Sequence, residues 1–115
     1  MAGRTHVRPA SMQVRVMLLA GLALAPVAQA ADATLARGKQ LFTQRAAPPC
    51  AVCHALQDAN SRGTVGPDLD ELRPDAARVA QAVRQGLGNM PAFGASLAAE
   101  DIEALAQYVS RAAGR

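Results

Sequence analysis

Two cysteines and a histidine stand together in the chain, in the order Cys50-Ala-Val-Cys53-His54. This C-x-x-C-H spacing is typical of sites at which haem is attached covalently to a protein. Two thiols at this spacing can add to the two vinyl groups on one edge of a porphyrin. The next side chain then lies beneath the ring centre, where an imidazole nitrogen can bind iron. The motif therefore predicts one haem c, held by Cys50 and Cys53, with His54 as an iron ligand.

Three other kinds of site share part of this pattern and are alternatives to haem. A structural zinc site needs four ligands, which usually come from a second Cys/His cluster. A thioredoxin-like redox pair needs a βαβ context. A structural disulfide between Cys50 and Cys53 would close a very short loop and gain little entropy from it.

The start of the chain has the pattern of a secretory signal peptide. Three arginines precede an apolar run at residues 16–25, and Ala28-Gln-Ala30 is a small-x-small cleavage signature. A membrane anchor is the alternative, but a membrane span needs about 20 apolar residues and this run is shorter. We expect cleavage after about Ala30, with Met12 as an alternative start, and a single domain over residues 31–115. Export would place this domain in the periplasm, where covalent haem attachment occurs.

Removal of this segment changes the charge balance. The whole chain has a formal net charge of +3. Arg4, Arg8 and Arg15 precede the predicted cut, whereas all nine acidic residues follow it, so the remaining domain is formally neutral. Nucleic-acid binding needs a concentrated basic face, which this composition does not supply. We therefore expect no nucleic-acid partner, and no membrane anchor once the signal is removed.

A second iron ligand follows by elimination. Met90 is the only methionine after the predicted cut, and His54 is the only histidine there. Lys39, the single lysine, lies on the predicted first helix, before the motif. Met90 sits in a glycine-rich loop flanked by proline, and a thioether is a known axial ligand of haem iron. The alternative is a methionine that fills a gap in the core.

The domain has the pattern of an all-α fold. A first helix is predicted from near Asp32, a second from Pro74 to Gly86, and a last one from about Ala99 with an i, i+3, i+4, i+7 apolar face. Turn-forming residues predict a loop over residues 58–70. No segment alternates with period two, so strands are not expected.

Four short segments besides the motif occur in a recognisable order: Gly38 with Phe42, Gly66-Pro67-Asp-Leu69, Met90-Pro-Ala-Phe93, and Leu105 with Tyr108. With them, residues 32–113 resemble the class I cytochromes c. The resemblance implies three to four helices wrapped around one covalent haem. It also implies that the Pro67 carbonyl accepts a hydrogen bond from His54 and that Leu69 packs on the ring.

The sequence departs from this family at a few places. Pro48-Pro49 directly before Cys50 is unusual, Ala98 stands where a Ser or Thr helix cap is expected, and a ring of lysines for partner docking is missing. The prolines before Cys50, the short spacing between His54 and Met90, and the loop around Met90 look like the cytochrome subunits of bacterial molybdenum sulfite dehydrogenases.

The function implied by this resemblance is single-electron transfer between redox proteins rather than enzymatic catalysis. A dehydrogenase would be the electron donor, and a cytochrome or a terminal oxidase the acceptor. Three rivals are a haem enzyme such as a peroxidase, a permanent subunit of a dehydrogenase complex, and a haem-based redox or ligand sensor. The sensor requires that Met90 be displaceable, and the enzyme requires polar groups at an open iron position.

Overall fold

The structure, a computed structural model, describes residues 1–3 and 25–115. Most of the predicted signal segment therefore lies outside the described residues. The described part is mainly helical, with helices α1 (Ala25–Gln40), α2 (Leu69–Leu72), α3 (Ala76–Gln85) and α4 (Ala99–Ala112). The all-α prediction is confirmed. None of the helices in these residues is both long and apolar enough to cross a membrane.

Helix α1 begins earlier than the sequence predicted. It starts at Ala25 rather than near Asp32, and no acidic residue lies in its first turn. Alanine has the highest helix propensity, and Pro26 lies in the first turn, where a proline costs no hydrogen bond. The chain continues from Gln40 into a turn of π-helix, Leu41–Arg45, and becomes extended at Ala46 before the paired prolines.

Helix α3 begins and ends close to the predicted positions, and α4 begins at the predicted Ala99. Asp75 caps α3, since its carboxylate accepts a hydrogen bond of 2.8 Å from the Arg78 amide. Gly86 follows the last residue of α3 with a positive φ of 71°, a conformation that favours glycine. Ala98 precedes α4 without a side-chain cap.

The prediction that the domain has no strands is wrong in one place. Two strands of two residues each, β1 (Ala55–Leu56) and β2 (Ser61–Arg62), pair antiparallel directly after the Cys50–His54 motif. Strands of this length are too short to show an alternating pattern. The predicted loop over residues 58–70 is likewise interrupted by β2 and by the start of α2, whose first amides are capped by the Asp68 carboxylate.

Helices α1 and α4 cross at close range. A Cβ atom added to Gly38 would meet the Ala104 carbonyl and would lie 2.5 Å from the Tyr108 Cβ. Next to the crossing, the rings of Phe42 and Tyr108 pack edge to face, with centroids 6.1 Å apart. The crossing of α1 and α4 packs one part of the core. An apolar cleft opens next to it.

Candidate haem-binding site

The cleft lies between the segment after α1, helices α3 and α4, and the loop that follows α3. Its volume is about 350 Å³, and its walls are mainly apolar. All six residues predicted for the site line it: Cys50, Cys53, His54, Pro67, Leu69 and Met90. The structure therefore brings together residues that are up to forty positions apart in the chain.

A tight turn presents the two cysteines to the cleft. Residues Cys50–Val52 form a short 3₁₀ helix, and the amides of Cys53 and His54 donate to the Cys50 carbonyl at 3.1 and 3.0 Å. Both cysteines are free thiols, so the structure contains no disulfide between them. Burial raises the pKa of the Cys50 thiol to about 11, which keeps this sulfur uncharged at neutral pH. An uncharged sulfur suits an apolar cleft.

His54 is fixed by the chain that crosses beneath it. Its Nδ1 donates a hydrogen bond of 2.8 Å to the Pro67 carbonyl oxygen, which has no proton to give in return. Nδ1 therefore carries the proton, and Nε2 is the nitrogen that remains for a metal. A Cβ atom at Gly66 would lie 2.6 Å from the imidazole Cε1, so only glycine lets the chain approach this ring so closely.

Met90 reaches the cleft from the loop that follows α3. Its backbone pairs with Leu87 in an isolated β-bridge, with hydrogen bonds of 3.2 and 3.0 Å. The side chain is partly buried against the core cluster. Met90 and His54 line the same cleft.

Two polar residues of the cleft were not predicted from the sequence. Among the described residues, Arg78 in the first turn of α3 is the only Lys, Arg, Asp or Glu side chain that lines the cleft, and Asn89 precedes Met90. Neither of the two ion pairs among residues 1–3 and 25–115 involves Arg78. The sequence did hold a signal for Arg78. It lies one residue before Val79 and four before Ala82, so it shares a face of α3 with Ala82, and both of these residues also line the cleft.

The residues fit a haem better than the rival sites. No group of three or more His, Cys, Asp or Glu side chains that could hold a metal ion occurs within residues 1–3 and 25–115. Zinc therefore lacks a ligand set in the part of the chain described. The apolar walls of the cleft suit a flat apolar ring. The cleft also offers two thiols, an imidazole and a thioether, and the Arg78 guanidinium can pair with a carboxylate of the haem.

A second depression has a different character. It has a volume of about 510 Å³, is open to solvent, and includes Arg37, which forms an ion pair of 2.6 Å with Asp101. None of the predicted site residues lines it. We therefore assign the chemistry to the cleft that contains Cys50 and His54.

Comparisons with known proteins agree with this geometry. The family described as "Cytochrome C oxidase, cbb3-type, subunit III" matches residues 33–109. A cytochrome c6 from Microcystis aeruginosa is 42% identical over 64 residues, which are 52% of this chain and 79% of that protein. A cytochrome c6 from Gracilaria tenuistipitata var. liui is 36% identical over 86 residues, 67% of this chain and 71% of that protein.

A solved structure is similar over most of its length. The crystal structure of the c-type cytochrome SorU from Sinorhizobium meliloti superposes with a TM-score of 0.71 at 52% sequence identity. The match covers 73% of this chain and 95% of that chain.

Proposed function

This chain belongs to the class I c-type cytochromes and is an electron carrier, and we propose that it carries one haem on Cys50 and Cys53 with His54 and Met90 as axial ligands. The observation that carries this proposal is the hydrogen bond between the His54 Nδ1 and the Pro67 carbonyl. It orients the imidazole and fixes its tautomer at the wall of a cleft that the two thiols and Met90 also line.

Each residue has a separate task in this proposal. A bound haem supplies an iron that changes its charge by one. Cys50 and Cys53 would fix the ring to the chain, and His54 and Met90 would both hold the iron, so that neither ligand would have to be exchanged when its charge changes. Arg78 supplies the positive charge that a haem propionate needs in an otherwise uncharged wall.

The walls of the cleft also favour the reduced state. Leu69, Val83 and Phe93 are buried, and a low dielectric disfavours the additional charge of ferric iron. A methionine sulfur, as a weak electron donor, raises the reduction potential relative to harder ligands. We propose a positive potential on these grounds.

Replacement of Met90 with alanine tests the ligand assignment. We expect Met90→Ala to keep the covalent haem, because Cys50, Cys53 and His54 remain, and to lose the weak charge-transfer band of ferric methionine-ligated haem. The ultraviolet-visible spectrum of the ferric protein gives the band, and the pyridine haemochrome spectrum and intact mass give the haem content. Persistence of the band in Met90→Ala would disprove ligation by this residue.

We also propose that residues 1–30 are a cleaved signal peptide and that residues 31–115 work in the periplasm. Helix α1 continues through the proposed cut, but residues 26–33 are exposed and contribute nothing to the core. Cleavage after Ala30 would therefore leave the packing of the domain intact. Mass spectrometry of the exported protein should give a mature N-terminus at Ala31, and a retained Ala25 would contradict this.

The electron donor proposed here is a molybdenum sulfite dehydrogenase. Support comes from the sequence around Pro48-Pro49 and Met90, which resembles the cytochrome subunits of those enzymes. Addition of such an enzyme and sulfite to the ferric holoprotein should produce the ferrous spectrum at a rate that depends on enzyme concentration. No reduction under conditions where a c-type control cytochrome is reduced would exclude this donor.

A further inference from the structure

The loop that carries Met90 is built onto the last turn of α3. Three consecutive carbonyls at the end of this helix accept hydrogen bonds from residues at both ends of the loop. The Gly86 amide donates to Ala82 at 2.8 Å, the Phe93 amide to Val83 at 2.7 Å, and the Gly94 amide to Arg84 at 3.3 Å. The loop thus satisfies carbonyls that a helix end otherwise leaves without partners.

Gly86 and Gly94, whose amides donate the two outer hydrogen bonds, both lie against backbone that a Cβ atom would crowd: loop backbone at Gly86 and the end of α3 at Gly94. A Cβ atom at Gly94 would lie 2.9 Å from the Arg84 carbonyl oxygen, and the φ of Gly94 is not positive. A Cβ atom at Gly86 would lie 2.7 Å from the Met90 carbonyl oxygen. Gly88, in the same loop, differs from both, because nothing lies within 4 Å of the position that its Cβ would take.

We propose that Gly94 is a positioning residue for Met90. It does not line the cleft and is exposed, so it acts only through the loop. With the Gly94 amide bonded to the Arg84 carbonyl, both ends of the loop are fixed to α3, and Met90 is held in the lining of the cleft. The inference rests on the proposed ligation by Met90 and adds the device that resists displacement of this ligand.

The device predicts how a competing ligand behaves. In a holoprotein with Met90 on the iron, imidazole would compete with the Met90 sulfur, and movement of the loop away from α3 would favour imidazole. Each contact between the loop and α3 therefore opposes imidazole binding. A Cβ atom at position 94 would push the loop off the Arg84 carbonyl and weaken that opposition, whereas a Cβ atom at position 88 would have no atom within 4 Å.

The test is an imidazole titration of ferric holoprotein carrying Gly94→Ala, with Gly88→Asn as the matched control. Asparagine tolerates the positive φ of Gly88, 57°. We expect Gly94→Ala to bind imidazole about fivefold more tightly than the parent, the equivalent of one backbone hydrogen bond of about 1 kcal/mol. Gly88→Asn should stay within about twofold of the parent, the factor that a small loop change of a few tenths of a kcal/mol allows.

The outcomes separate this inference from the proposed function. Unchanged imidazole affinity in Gly94→Ala, even with a lower melting temperature, would overturn the positioning role, because the effect would then be on stability alone. An equal rise in affinity in Gly88→Asn would also overturn it. A parent protein that lacks the methionine charge-transfer band would instead refute ligation by Met90.

Amide exchange provides a measurement that needs no variant. If Gly94→Ala fails to accumulate as holoprotein, hydrogen–deuterium exchange of the parent still tests the contact. The amides of Phe93 and Gly94 should exchange slowly, together with those at the end of α3. Rapid exchange of both amides, with α3 protected, would refute the proposal.

Discussion

Asp58 joins three parts of the fold through one carboxylate. The Tyr108 hydroxyl donates to its Oδ2 at 2.6 Å, and the Lys39 ammonium lies 3.1 Å from the same oxygen. Helices α4 and α1 are thereby tied to the short turn between β1 and β2, which follows His54. The hydrogen bond from Tyr108, followed by that from Lys39, lowers the pKa of Asp58. Burial, and then the bond to Asp58, raises the pKa of Tyr108.

This carboxylate should make the stability of the holoprotein depend on pH in the acid range. Because its pKa is lowered on folding, the stabilisation is complete above the ordinary pKa of an aspartate and is lost as the pH falls through the lower, folded value. Asp58→Asn should therefore lower the free energy of unfolding by about 1 kcal/mol at pH 7. The deficit should shrink below about pH 4. Urea unfolding at pH 7 and pH 3 measures it.

Two single-site controls separate the partners of Asp58. Tyr108→Phe keeps the ring against Phe42 and removes only the hydroxyl, so it should cost a similar amount at pH 7. Lys39→Met should cost less, because ion pairs between exposed groups contribute at most about 1 kcal/mol. A deficit of Asp58→Asn that stays the same at both pH values would contradict the assignment.

At the scale of elements, the crossing of α1 and α4 depends on the absence of a side chain at Gly38. Gly38 is buried, and its nearest neighbours across the crossing are the Ala104 carbonyl and the Tyr108 Cβ. Because two of the three neighbouring atoms belong to backbone, they cannot move aside as the end of a flexible side chain could. The distance between the helices is therefore set at this residue.

Gly38→Ala should destabilise the holoprotein by about 1–3 kcal/mol, the usual cost of overpacking a filled core. This loss should appear although alanine by itself favours a helix over glycine by about 1 kcal/mol. Gln40→Ala, at an exposed position of the same helix, is the control and should change stability by less than about 0.5 kcal/mol. Thermal unfolding measures both variants, and a Gly38→Ala protein as stable as the parent would contradict a close crossing.

The long helices of the fold could be predicted from the sequence, whereas its shortest elements could not. Both bounds of α3 and the start of α4 were predicted because their signals are local: Asp75 before α3, Gly86 after it, and an apolar stripe along α4. The pair of strands and α2 were missed because elements of two and four residues are too short to show a period. Asp68, which caps the amides of Asp70 and Glu71, was a signal for α2 that could have been used.

Long-range polar contacts had no signal in the sequence. The Asp70 carboxylate accepts from the Gln57 amide at 2.7 Å and from the Gly114 amide at 2.9 Å. These partners lie 13 and 44 positions away along the chain. By contrast, the composition of the cleft was predictable, because the Cys50–His54 motif implies its own cofactor and thereby limits where Met90 and Leu69 can lie.

At the scale of the whole molecule, the apolar cleft lies where the hydrophobic core of the chain is incomplete. The largest fully buried side chains are Phe42, Leu41, Leu56 and Leu105, and a third of the buried core residues are alanines: Ala46, Ala80, Ala104, Ala106 and Ala112. Small side chains bury little area each, so the core that the chain forms by itself is small. A haem would supply the apolar surface that the chain lacks.

The proposed haem should therefore decide whether the chain folds. Val65, Leu72 and Leu87 on the walls of the cleft are exposed, and a haem that covered them would contribute up to about 3 kcal/mol for each side chain, or about 9 kcal/mol together. This is comparable with the entire stability of a small domain, about 5–15 kcal/mol. A protein made without haem attachment should show reduced helical circular dichroism and no cooperative unfolding by urea, whereas the holoprotein should unfold in one transition.

The matched variant for this experiment is Cys50→Ala with Cys53→Ala, which removes the covalent bonds and leaves His54 and Met90 in place. Addition of free haem to it should restore cooperative unfolding, because filling the cleft is what stabilises the fold, although the haem will dissociate on dilution. A protein without haem that unfolds cooperatively at the same urea concentration as the holoprotein would mean that the helices close the core unaided. In that case the cleft would be a binding site on a finished fold, and the haem would serve electron transfer without also serving as core.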